Sequence, residues 1–253
     1  MIDVITCRGT GEPLNGTTNM LPLLTEQLDP TKYTIGVDLD YSASVGPANP
    51  QEDLAGVSED DSVAAGVTAL AAAIRATPLV VGIAGYSLGA MVVTRFLEAK
   101  AAGEYADCEV AWAATVANPL RAEGSSIDPA PVGFGLAGQH GPWPDGIPVW
   151  EAANPADAIT SCPADSPLRT LADAVSEFSF ADLGGWTSDL IDRVLANRWQ
   201  PTDIGSLLHP IATWRLWSQT AALMEGYAFG GQHTSAYIVG GYIDRLSSAI
   251  NAA

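Results

Sequence analysis

Leu79-Val-Val-Gly-Ile-Ala-Gly-Tyr-Ser87-Leu-Gly-Ala-Met-Val-Val-Thr94 is the stretch on which the fold turns. Its first half is short and β-branched, which suits a buried strand, and from Leu88 onward it becomes helix-like. Between the halves, Gly85-Tyr-Ser87-Leu-Gly89 matches Gly-x-Ser-x-Gly. Placed between strand and helix, that pattern has a mechanical meaning: the serine rides a strained turn that projects its hydroxyl above the sheet. The flanking glycines lack the Cβ atoms that would keep the turn from closing. The helix that follows directs its first N–H groups, and the positive end of its dipole, to where an oxyanion would form. The run from Ala76 to Thr94 carries no charge and is long enough to span a bilayer. Pro78, three glycines, Tyr86 and Ser87 break it in the middle, so a buried strand-turn-helix is the better reading.

Outward from this stretch, strand and helix patterns alternate. Strands are expected at Ile2 to Thr6, Tyr33 to Leu39, Leu79 to Ala84, Val110 to Ala117 and Ile147 to Glu151. Helices are expected at Met20 to Leu28, Ser62 to Ala76 and Leu88 to about Ala101, with Glu59, Asp60 and Asp61 suiting the N-terminus of the second. This alternation predicts a three-layer α/β sandwich, a mostly parallel sheet covered by helices on both faces. Residues 118–146 read as loop. From 167 to 227 the texture becomes consecutively helical, which predicts a helical insertion into a core formed by 1–166 and 228–253. Thr234 to Ile250 aligns Ile238, Tyr242, Leu246 and Ala249 on one face and returns as a helix against the sheet.

The 253 residues are 47% hydrophobic with seven Trp, which excludes a disordered chain, and a formal charge of −18 disfavours nucleic acid and anionic headgroups as partners. Cys7, Cys108 and Cys162 are too far apart in sequence for a zinc ribbon or a redox pair, and one disulfide among them is the alternative to three thiols. Met1-Ile-Asp-Val-Ile-Thr reads as a strand rather than a leader, so synthesis in a reducing cytoplasm is expected. Gly11 to Thr18 has the glycine spacing of a phosphate-binding loop but Thr17 where lysine is required. With neither Gly-x-Gly-x-x-Gly nor His-Glu-x-x-His in the chain, no cofactor and no metal are expected. No integral membrane segment and a monomer complete these expectations.

A serine hydroxyl is a poor nucleophile until a histidine takes its proton and a carboxylate orients that histidine. The chain has three histidines. In the α/β-hydrolase arrangement the order is Ser, acid, His, with the base in a loop after the last strand. His233, in Gly230-Gly-Gln-His-Thr-Ser, suits that order; His140 and His209 read as structural. The acid should follow the Ile147 to Glu151 strand. Asp157 is the first choice there, with Asp165 and the more remote Glu151 as alternatives. For the oxyanion hole, Leu88 offers its N–H at the elbow, and Thr10, in Cys7-Arg-Gly-Thr-Gly-Glu, offers a second N–H and a hydroxyl unless that segment is simply a turn.

Arg8-Gly-Thr-Gly-Glu, Asp40-Tyr-Ser-Ala-Ser-Val-Gly and Gly85-Tyr-Ser-Leu-Gly-Ala, in that order, resemble the cutinase-like serine esterases. The helical stretch before His233, Asn118-Pro-Leu-Arg and Gln232-His-Thr-Ser-Ala-Tyr are similar to the Lysin B esterases of mycobacteriophages within that group. The resemblance implies an α/β-hydrolase fold and cleavage of the ester joining mycolic acids to arabinogalactan. It also implies that an enzyme made in the host cytoplasm acts at the envelope after release during lysis. Leu88 departs from the glutamine common among cutinase-like members, and no peptidoglycan-binding module is expected ahead of the catalytic core. Trp186, Trp199, Trp214 and Trp217 fall in the expected insertion and read first as helix-helix core, with a groove for acyl chains and sugar rings as the alternative. The reading is therefore a Ser87–His233–Asp157 esterase on mycolyl-arabinogalactan. Its rivals are a cutinase or lipase on ordinary lipid esters and an inactive hydrolase fold that binds the envelope.

Overall fold

The computed structural model describes residues 1–45, 49–50, 56–129, 132–166, 168–169, 222–223, 225–226 and 229–253. The expected insertion at 167–227, with His209 and the four tryptophans in it, lies almost wholly outside the described residues.

Five strands, β1 (Ile2–Cys7), β2 (Tyr33–Asp38), β3 (Val81–Tyr86), β4 (Val110–Val116) and β5 (Val149–Ala152), form one sheet in the order β2-β1-β3-β4-β5. Every pairing is parallel. Among the described residues the helices are α1 (Met20–Thr25), α2 (Glu59–Ala76), α3 (Leu88–Ala101), α4 (Ser235–Val239) and α5 (Tyr242–Ala252). Successive strand residues face opposite ways, so Ile5, Ile83 and Ala113 meet Val63, Leu70, Val92 and Phe96 of α2 and α3 in one core. Their neighbours Val4, Ala84 and Ala114 meet Leu21 and Leu24 of α1 and Leu246 and Ile250 of α5 in the other. Two apolar cores with the sheet between them make the three-layer sandwich expected from the alternation. Each fully buried Leu, Ile or Phe in them contributes about 1.5–3 kcal/mol. Because both faces are covered, β3 is buried at every residue, which is why it reads as a continuous apolar run.

Element boundaries differ from expectation where end effects decide. β3 begins at Val81, and the preceding Leu79 and Val80 remain exposed ahead of it. α2 begins at Glu59 because the Ser58 hydroxyl caps it by accepting from the Asp61 N–H at 3.2 Å, so the three acidic residues form the first turn. α1 ends at Thr25, short of Leu28. The final helix is two helices, separated at Gly240-Gly241, where Gly241 takes φ +69°.

The chain leaves β1 for β2 on one side and returns to β3 on the other. In an open parallel sheet the crevice beyond the carboxyl ends at such a reversal is where ligands bind. The loop after β1 and the turn after β3 both sit there.

Candidate active site

Ser87 stands between the end of β3 and the first residue of α3, with φ +53° and ψ −116°. A side-chain-bearing residue in that region stores about 1–3 kcal/mol of strain, which the surroundings must hold. They do so by crowding. A Cβ on Gly89 would stand 1.8 Å from the Cys7 carbonyl oxygen, and one on Gly85 2.4 Å from that of Gly89, so β1, the turn and α3 close to this distance only with glycine at both positions. The Ser87 N–H is fixed to the Val116 carbonyl of β4 at 2.9 Å.

The loop after β1 is locked in place by Arg8 and Glu12. Arg8, buried, donates to the Glu12 carbonyl at 2.9 Å and to the carbonyls of Leu39 and Tyr41, while the Tyr41 hydroxyl donates back to the Arg8 carbonyl. The Glu12 carboxylate accepts the N–H groups of Gly9 and Met20, each at 2.7 Å. Burial pushes the Glu12 carboxyl up, against those two bonds. Gly9 lies against the Tyr86 ring, where a Cβ would come within 2.6 Å of a ring carbon. The loop carrying Thr10 is thereby pressed onto the elbow. The Leu88 N–H, first of its helix, has no acceptor within the helix.

The His233 Nε2 lies 2.9 Å from the Ser87 Oγ, and its Nδ1 lies 2.9 Å from the Asp157 Oδ2. A carboxylate can only accept, so in the tautomer that pairs with Asp157 the proton is on Nδ1 and Nε2 is left to accept from the serine. Ser87, His233 and Asp157 are thus brought together by three separate parts of the chain. Asp165 is exposed, away from this line, and Glu151 pairs with a different histidine.

Several residues that sequence reasoning passed over hold this line. The Tyr237 hydroxyl donates to Asp157 Oδ2 at 2.8 Å, and the Ile159 N–H to Oδ1 at 3.0 Å. The Tyr86 hydroxyl donates to the His233 carbonyl at 2.8 Å, and the two rings stack with centroids 5.6 Å apart. The Asn154 amide donates to the carbonyl of Gln232 at 2.8 Å and to its side-chain oxygen at 2.9 Å, tying the acid loop to the base loop. The Asn154-Pro turn signal and the Gln232-to-Tyr237 segment were visible, but neither contact partner was.

His140, expected to be structural, lies in a separate cluster. Its Nε2 lies 3.1 Å from the Glu151 Oε2 and its Nδ1 2.6 Å from the Gly141 carbonyl, with the ring stacked on Trp143 at 3.7 Å. Burial works against its charge, but the Glu151 carboxylate and the Gly141 carbonyl outweigh it, and the imidazole is raised. Burial likewise opposes charge on Glu151, yet bonds from His140, Ser125 and Asn118 hold its carboxyl below the usual range. Asn118-Pro-Leu-Arg belongs to the same framework: Asn118 bonds Glu151 at 2.8 Å and Thr94 at 3.0 Å, and buried Arg121 donates to the carbonyls of Thr160, Ala122, Ser125 and Gly133. Cys7, Cys108 and Cys162 are buried free thiols, and burial raises each. Among the described residues no helix is long and apolar enough to cross a membrane.

The PE-PPE domain family matches residues 34–129, less than half of the chain. No curated protein sequence matches. Among solved structures, the catalytic core domain of acetyl xylan esterase from Trichoderma reesei is similar at 19% identity over 71% of this chain and 95% of that one, with a TM-score of 0.48. A cutinase-like protein from Cryptococcus sp. is similar at 19% identity over 70% and 95%, with a TM-score of 0.46. Lysin B from Mycobacteriophage D29 is similar at 18% identity over 99% and 90%, with a TM-score of 0.44. The chain's own architecture is a three-layer α/β sandwich on an all-parallel sheet in the order 2-1-3-4-5, with a serine at the turn after β3, a carboxylate after β5 and a histidine ahead of the last helices.

Proposed function

We propose that the protein is a serine carboxylic-ester hydrolase whose substrate is the ester between mycolic acids and arabinogalactan. The observation that carries the chemistry is the unbroken line from Asp157 through His233 to Ser87, with 2.9 Å at each join. As the Ser87 Oγ bonds to the ester carbonyl carbon, its proton passes to His233 Nε2 and the carbonyl electrons move to oxygen. The N–H groups of Leu88 and Thr10 are assigned to that oxyanion, where each such donor is worth about 10²–10³ in rate. Collapse breaks the bond to the alcohol, which takes the proton from His233. Water then repeats the sequence to free the acid. Asp157 remains ionised throughout, holding the imidazole in one tautomer and stabilising its cation.

The substrate assignment rests on the segments similar to the Lysin B esterases. It carries with it synthesis in the host cytoplasm and action at the envelope after release. The test is incubation with purified mycolyl-arabinogalactan and, separately, with p-nitrophenyl and glycerol esters of short acids. Release of free mycolic acid that is lost in Ser87→Ala is expected. Cleavage of the short esters alone would make the protein a general lipid esterase. No turnover of either, in a folded protein that a fluorophosphonate does not label, would make it a binding module.

A further inference from the structure

We propose that Tyr237 is a positioning residue of the triad, sharing Asp157 Oδ2 with the imidazole of His233 and so limiting how strongly that carboxylate holds a proton on the base. The inference rests on the esterase reading above and deepens it. The Tyr237 side chain is fully buried on α4, the short helix directly after His233. Its oxygen has two neighbours: the Asn154 N–H at 3.1 Å and Asp157 Oδ2 at 2.8 Å. A backbone N–H can only donate, so the phenol accepts from Asn154 and its single proton goes to the carboxylate. Oδ2 therefore carries two donors, the phenol and His233 Nδ1, while Ile159 N–H occupies Oδ1.

Two donors on one oxygen compete for the same negative charge. With the phenol present, part of that charge is spent on Tyr237, and the pull on the imidazolium is smaller. Without it, Asp157 would stabilise the protonated base more strongly, and His233 would be free to accept from Ser87 only at higher pH. The titratable and charged groups facing Tyr237 are Asp157, with His233 beyond it, Tyr86, the buried guanidinium of Arg121, and Tyr242, whose ring centroid is 5.2 Å away. Burial first, and the Asp157 charge second, raise the phenol of Tyr237, so it stays a donor throughout the working range.

The test uses two variants of opposite expected sign. Tyr237→Phe removes the donor; 3-fluorotyrosine placed at position 237 alone strengthens it at nearly constant volume. In Tyr237→Phe the acid limb of the kcat/KM profile should move to higher pH by about half to one unit, with a fall of about two- to five-fold at neutral pH and little change in KM. With fluorotyrosine the limb should move the other way. NMR titration of the His233 ring protons should follow the same two directions without requiring turnover. It therefore judges Tyr237 separately from the esterase reading, which fails instead if the wild-type protein turns over no ester. Should Tyr237→Phe not fold, the fluorotyrosine protein decides. An acid limb and a ring titration unmoved by either substitution, or moved in the same direction by both, would overturn the proposal.

Discussion

Among the described residues, two clusters contain a serine, a histidine and a carboxylate, and they are wired differently. In the first, the carboxylate and the serine sit on opposite ring nitrogens of His233, each at 2.9 Å. In the second, Glu151 and the Gly141 carbonyl occupy the two nitrogens of His140, and the Ser125 hydroxyl donates straight to Glu151. A ring with an acceptor on each nitrogen is driven to be a cation with both protons in use. It has no lone pair left for a hydroxyl. The lesson is that connectivity, and not residue type or proximity, separates a general base from half of a buried ion pair.

The widest separation between the clusters should come from the serines. Ser87→Ala should lower p-nitrophenyl ester turnover by at least about 10³-fold, whereas Ser125→Ala should leave kcat within a few-fold of wild type. Equal losses would erase the distinction. The acids sharpen it further. Asp157→Asn should cost about 10⁴ in kcat with the fold intact, because the imidazole adopts the wrong tautomer. Glu151→Gln should act on stability instead, by about 3–5 kcal/mol read from denaturant unfolding, since it strands a buried partner. Gly89→Ala tests the crowding behind the elbow: its methyl would meet the Cys7 carbonyl, and about 1–3 kcal/mol of stability should be lost along with much of the turnover.

The smallest effect expected is in pH dependence. The lowered Glu151 carboxyl gives stability that is present above its ordinary value of 4.5 and lost as pH falls through the folded value. The raised His140 gives stability that is present below its ordinary value of 6.5 and lost as pH rises through the folded value. The pair therefore contributes most between about 4.5 and 6.5. Thermal unfolding across that range should show a shallow maximum in the wild type that flattens in Glu151→Gln, and an unchanged profile in the variant would remove the ion pair from the account.

How much of this could be read in advance follows from the range of each signal. The elbow was legible because its three fixed positions lie within five residues and their neighbours carry strand and helix patterns. The succession of five strands along the chain followed from alternation, but their order across the sheet, β2-β1-β3-β4-β5, carries no local signal. His233 emerged because chain order left one suitable histidine among three. Asp157 could be ranked but not separated from Asp165, because both lie in one loop and only the fold decides which is buried beside the base. Tyr237 and Asn154 were beyond reach: their decisive bonds join residues 80 and 78 positions apart, and neither residue type announces its partner. α2 starts at Glu59, ahead of the expected Ser62, because Ser58 caps it, and Ser-x-x-Asp is the local signal for that cap.

The central claim is that the hydroxyl at the elbow is activated by His233. Treatment of the folded protein with a fluorophosphonate, followed by peptide mass spectrometry, tests it directly. The account predicts one adduct, on Ser87, with Ser125 unmodified and labelling slowed by orders of magnitude in His233→Ala. An unlabelled Ser87, or one labelled equally fast without His233, would contradict it.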